Sequence, residues 1–366
     1  MTTRTRLLPA LALSAAIAGL AGCTEKTSFD PAAFSASTDS IAAVIANSPA
    51  MQSMSGLGQK MTVSAEALGA PAWIANALAA VPVEPASFAT WAAHRLDAWQ
   101  VAPPALAVAA PGAIIPSLAL GKTFTYNPTT GRYEMSTRTG APANGVRFVL
   151  YAVNPLTREV ALPLNEVGYV DLTEEAATSG LSLRLRAYAS GNNTPLVDYT
   201  ASASIQTSSG SVTGATVSAK GYISDGTHQL DIDLTQSFSS TSGISVTYKL
   251  GLPERDISLD FTAAFNLQRQ ANVTLTVQHA GNTTVVSASG TETAITGKIT
   301  HNGSVAVNIA GTPSNPTFTD ASGGPLPQDQ AAALKKVFDF VDALLDHVDN
   351  LLGPAYLLLG LTVFLL

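Results

Sequence analysis

Charge is scarce in this chain. Asp, Glu, Lys and Arg make up 12% of its 366 residues, about half the ~25% of an ordinary globular protein. The acidic residues outnumber the basic, 26 to 19, so a basic footprint for nucleic acid is excluded. Cysteine occurs once, which rules out a disulfide framework and any site built from several thiolates. The apolar runs at the two ends, Leu7 to Leu20 and Leu351 to Leu366, each fall short of the ~20 residues that a spanning helix needs. No Gly-x-Ser-x-Gly elbow, His-Glu-x-x-His zinc motif or phosphate-binding glycine loop is present. The expectation is therefore a protein without enzymatic activity, cofactor or metal.

What is present begins at the N-terminus. Arg4 and Arg6 precede the uncharged run Leu7 to Leu20, the charged and apolar regions of a secretory signal. The run closes on Leu20-Ala21-Gly22-Cys23, where small residues lie directly before the sole thiol. This resembles the lipobox of bacterial lipoproteins. The resemblance implies cleavage between Gly22 and Cys23, acylation of Cys23, and a mature chain that begins there. Removing residues 1–22 leaves 17 basic against 26 acidic residues, a net of −9. Two acyl chains anchor a protein stably without a spanning helix, so the expected partner is a membrane and the expected location the cell envelope. In such lipoproteins an aspartate after the cysteine signals inner-membrane retention; Thr24 stands here, which favours the outer membrane of a two-membrane host.

Residues 23–37 read as a polar tether, and 38–120 as helical segments with a proline-rich connector. Ile41, Val44 and Ile45 make a helical stripe behind Thr38, Asp39 and Ser40, candidate caps. A second short helix is expected from Pro71 through Leu78. Ser87 is the expected N-cap of a third, with Phe88, Trp91, Leu96 and Trp99 on successive turns. His94, beside Arg95 and Asp97 on that helix, reads as a solvated histidine and not a catalytic one. Four prolines between Ala102 and Pro116 exclude a helix there.

Over 121–320 the period changes to two. Leu181, Leu183 and Leu185, then Leu230, Ile232 and Leu234, then Ile257, Leu259 and Phe261 alternate with polar residues, the pattern of strands with one buried face. Turn chemistry separates the runs at Asn127 to Gly131, Asp225-Gly226, Gly281-Asn282 and Asn302-Gly303. Residues 201–310 hold 32 Ser or Thr, suited to exposed strand positions and turns. The strand Val146 to Val153 is apolar on both sides and requires a second cover. Residues 321–366 read as an amphipathic helix followed by an apolar tail. Leu334, Val337, Val341, Leu344, Leu345, Val348 and Leu351 form its stripe, Asp339, Asp342, Asp346 and Asp349 fall on its polar side, and Gly353-Pro354 should end it.

These readings combine into a mainly β chain with flanking helices: a large curved antiparallel meander, half-barrel or open roll, packed against the C-terminal helix. Its order of elements resembles that of periplasmic lipid-binding lipoproteins with half-barrel folds. That resemblance implies a lipid or other amphiphile between sheet and helix, touching Leu183, Leu185, Ile232, Leu234, Val246, Leu259, Phe261, Leu275 and Val307. The other reading is an envelope lipoprotein with a packed core that acts through protein partners. A membrane-spanning barrel is disfavoured by the absence of consistent aromatic girdles and by the helical C-terminus. Asp231, Asp233 and His228 sit close in sequence on one strand, but a solvated face explains them. His279 and His301 read as surface residues at strand ends, and Glu174 and Glu175 as a charged turn.

Overall fold

A computed structural model describes residues 28–54, 57, 87–101, 114–154, 157, 159–176, 180–209 and 211–358. The expected signal segment and lipobox with Cys23, the expected helix from Pro71 and most of the proline-rich connector lie outside them. Fifteen strands, β1 (Lys122–Asn127), β2 (Arg132–Met135), β3 (Gly145–Tyr151), β4 (Glu166–Glu174), β5 (Leu181–Ala189), β6 (Pro195–Ser208), β7 (Ser211–Ser224), β8 (Gln229–Ser239), β9 (Gly243–Leu252), β10 (Ile257–Phe265), β11 (Ala271–His279), β12 (Asn282–Gly290), β13 (Ile295–His301), β14 (Ser304–Thr312) and β15 (Asn315–Asp320), form one open curved sheet. Its order runs from β15 in sequence down to β3, then β1 and β2. Among the described residues the α-helices that accompany it are α1 (Pro31–Asn47), α2 (Pro49–Met54), α3 (Phe88–Val101) and α4 (Gln328–Leu358).

Each strand that follows β3 (Gly145–Tyr151), as far as β15 (Asn315–Asp320), pairs antiparallel with the one before it. The expected turns lie between strands: Asp225-Gly226 joins β7 (Ser211–Ser224) to β8 (Gln229–Ser239), and Asn302 and Gly303, at φ 48° and 81°, join β13 (Ile295–His301) to β14 (Ser304–Thr312). The meander departs from pure antiparallel pairing at its start. β2 (Arg132–Met135) folds back along the outer edge of β1 (Lys122–Asn127), so the returning chain reaches the inner edge and β3 lies parallel to β1. The twofold-apolar β3 has aromatic neighbours from β1 and β2 beside it. Phe124 stacks on Phe148 at 4.9 Å between centroids, and the Tyr133 hydroxyl donates to the Val149 carbonyl at 2.9 Å.

One sheet face is covered by the helices, and one continuous core runs from Phe34 to Tyr356. The register aligns its rows: Leu172, Leu185, Tyr199, Gly221, Ile232, Leu250, Leu259 and Val277 stand side by side across eight strands. Gly221 is required in that row, since a Cβ there would sit 2.8 Å from the Tyr199 side chain and 2.0 Å from the Asp198 carbonyl.

Two expected helix boundaries shift. α1 starts at Pro31, inside the stretch read as tether. Asp30 caps it by accepting from the Ala32 and Ala33 amides at 2.9 and 3.3 Å, and proline suits the first turn. Thr38 and Ser40 are mid-helix and not caps; their hydroxyls donate to the Ser35 and Ala36 carbonyls. α4 continues through Gly353-Pro354 to Leu358. Burial of Leu351, Leu352, Ala355 and Tyr356 on both sides of the proline outweighs its disruption. The Tyr199 hydroxyl also donates to the Leu351 carbonyl in that turn. Among the described residues no helix is long and apolar enough to cross a membrane.

Candidate functional site: an apolar cleft at the sheet rim

The helices close the inner face unevenly, and the register explains where. On the middle strands, aromatic side chains meet α3: Phe261 lies edge-on to Phe88 at 6.3 Å, and Phe238 stacks on Trp99 at 3.5 Å. Towards β13 the side chains shrink. Val273 on β11 (Ala271–His279) faces Ala288 on β12 (Asn282–Gly290), which faces Gly297 on β13; one step along, Ala271 faces Gly290. These small residues leave a cleft of about 80 Å³ between β11–β13, the start of α3 and the middle of α4. Ser87 holds the start of α3 in place as its N-cap, accepting from the Thr90 amide at 3.3 Å. Phe88, Leu275, Val286, Val337, Phe338 and Val341 supply apolar wall.

The charged lining residue is Asp342 of α4. Burial, followed by the nearby Asp339 and Asp346 carboxylates, pushes its carboxyl up to about 7, against a smaller opposing effect of Lys335. Asp342 belongs to a stripe, Asp339, Asp342, Asp346 and Asp349, spaced three, four and three residues apart on one helix face. Asp339 is exposed and pairs with Lys335 at 2.6 Å.

At the inner end of that stripe, Asp349 accepts from Arg95 Nη2 at 2.7 Å and from Trp91 Nε1 at 2.9 Å. The guanidinium lies 4.2 Å over the Trp91 ring. Burial raises the Asp349 carboxyl, and Arg95 and the Trp91 hydrogen bond work against the rise. The Tyr356 hydroxyl donates to Gln236 Oε1 at 2.8 Å, and Gln236 Nε2 to the Tyr248 hydroxyl at 2.6 Å. Arg95 is therefore core: its side chain is 7% exposed. The signal for it lay in the chain, as Arg95 follows Trp91 by one helical turn on an apolar face.

A wider trough of about 830 Å³ lies at the opposite rim, between the first turns of α1 and the β11–β13 turns. It contains both strand-end histidines. His279 Nδ1 is 3.0 Å from the Ser37 hydroxyl, and His301 Nδ1 is 2.9 Å from that of Thr284. His301 is half-buried and packs 5.7 Å from Phe29, in contrast to the surface position expected for it; α1, beginning early, covers it. The trough is more open than the cleft and more polar in its lining, so the smaller cleft is the better-formed binding space.

The expected ligand face divides. Leu183, Leu185, Ile232, Leu234, Val246, Leu259, Phe261, Leu275 and Val307 are all buried, each at most 3% exposed. Leu275 alone among them lines the cleft. The others face packed helices or neighbouring core. Asp233 pairs with Lys220 at 3.0 Å, Asp231 accepts from Gln229, and His228 contacts Glu254 and Arg255, so the three do not converge. No group of three or more His, Cys, Asp or Glu able to hold a metal occurs among the described residues. Glu174 ends β4 (Glu166–Glu174) and accepts from the Ile115 amide, so it ties the connector to the sheet. Farther out, Arg147–Asp171 and Arg184–Asp198 are two-pronged pairs at 2.7–2.8 Å. His94 is exposed. No family model, curated protein or solved structure matches the chain.

Proposed function

We propose that the chain is a lipoprotein of the cell envelope, anchored through acyl groups on Cys23 in the outer membrane of a two-membrane host. In this reading it is a binding protein and not an enzyme, and it holds an apolar or amphiphilic ligand between sheet and helices. The observation that carries the binding reading is the cleft itself, an apolar hollow rimmed by one carboxyl at the sheet–helix junction. Relative to the sequence expectation the site moves from the middle of the sheet to the β11–β13 rim, because α1, α3 and α4 fill the middle. That filling is what supports the second reading, a packed module acting through envelope partners.

Two measurements test this, the first on protein purified from membranes and the second on the unanchored Cys23→Ser protein. The intact mass reports whether the chain begins at Cys23 and carries acyl groups, and Cys23→Ser should abolish both the added mass and membrane retention. Solvent extraction of the Cys23→Ser protein, followed by mass spectrometry, should yield a stoichiometric amphiphile. A clean extract, with no saturable binding of added single-chain amphiphiles, would leave the packed module as the surviving reading.

A further inference from the structure

We infer that the cleft selects an amphiphile with a single apolar chain and a cationic, alkylammonium-type head seated on the Asp342 carboxylate. This rests on the binding reading above and adds the number of chains and the sign of the head group. The volume sets the first: about 80 Å³ is near half of the ~150 Å³ of an engineered cavity that admits benzene. Such a cleft takes the end of one chain, with the remainder running out through its open mouth, and has no room for a two-chain lipid.

Charge sets the second. Of the lining side chains Asp342 alone is ionisable; Ser87, Ser289 and Thr291 add hydroxyls and the rest are apolar. The strands and α3 bring no charged side chain to the wall. On α4 itself Asp339 and Asp346 flank Asp342, and the cation that acts on it, Lys335, is held by Asp339. A carboxylate head would enter a field of three acids, whereas an ammonium would give Asp342 a charge-assisted hydrogen bond in a partly desolvated place. The carboxyl, lifted to about 7 by burial, is poised to ionise when such a cation arrives.

The test is titration calorimetry on the full chain carrying Cys23→Ser, using octylamine, octanol and octanoate. At about pH 8 the amine should bind at least about tenfold more tightly than the other two. Asp342→Asn should weaken the amine by about that factor and leave octanol unchanged. In the wild type alone, the amine should also weaken on lowering the pH to about 5.5, as Asp342 takes up its proton. Equal binding of amine and octanol, or an amine affinity indifferent to both Asp342→Asn and pH, would overturn head-group selection while leaving an apolar site. Failure of all three probes to bind would remove the site itself and the binding reading with it.

Discussion

Asp349 and Asp342 lie two turns apart on the same face of α4, and their surroundings have opposite characters. Asp349 meets Arg95, Trp91 and a ring of tyrosines at the point where α3, α4 and the middle strands converge. Asp342 faces Ala271, Val273 and Ala288, side chains too small to close the space. One carboxylate has its partner built in; the other has space where a partner would sit. The difference shows how a single amphipathic helix can seal a curved sheet in one place and keep it open in another, with the choice made by the strands it covers.

The largest effect should come from breaking the closed end. Arg95→Ala leaves Asp349 charged in the core, and loss of one partner of a buried pair costs about 3–5 kcal/mol. Urea denaturation would show this as a drop in midpoint, whereas Asp342→Asn should leave the midpoint equal or higher. Next in size is a pair of truncations. Leu259, fully buried, should lose about 2–5 kcal/mol on change to Ala; half-buried Val273 at the cleft should lose less than about 1 kcal/mol. Equal losses would mean that the cleft is packed.

The third effect is on pH dependence. The Asp342 carboxyl is raised from 3.8 to about 7 on folding, so between those values the folded chain keeps a proton that the unfolded chain gives up. Stability should therefore fall as pH rises through that window, by at most about 1.4 kcal/mol per pH unit from this group. Asp349, also raised, adds to the wild-type slope; the difference between wild type and Asp342→Asn isolates Asp342. A wild-type slope unchanged by the substitution would place Asp342 in water. The smallest effect is expected at the exposed end of the stripe, where Lys335→Ala breaks the surface pair with Asp339 and should alter stability by about 0.5 kcal/mol or less.

How much of this could be read in advance follows from the range of the forces involved. Alternation of Leu230, Ile232 and Leu234 with Asp231 and Asp233, and Asn302-Gly303 between two runs, are local signals, and they yield strands, turns and the covered face directly. α1 was read late because Ser and Thr look like linker residues unless their hydroxyls find carbonyls one turn back. The β1–β3 parallel pairing and the passage of α4 through Pro354 depend on contacts distant in sequence. The cleft was the least legible feature. It arises because Val273 meets Ala288 and Ala271 meets Gly290 across neighbouring strands, and register is not visible along one strand. Asp342, with Asp349, falls on the polar side of its helix by pattern, and the burial of that side depends on contacts with α3 and the strands that are distant in sequence.

The most direct test of the open cleft is to fill it. Ala288→Phe on β12 places a ring between Val273 and Gly297, and calorimetric titration with octylamine can be compared with the unfilled protein after circular dichroism shows the fold intact. The account predicts that saturable binding weakens by at least about tenfold. Binding that persists unchanged in the filled protein would show that the amphiphile sits elsewhere and would contradict it.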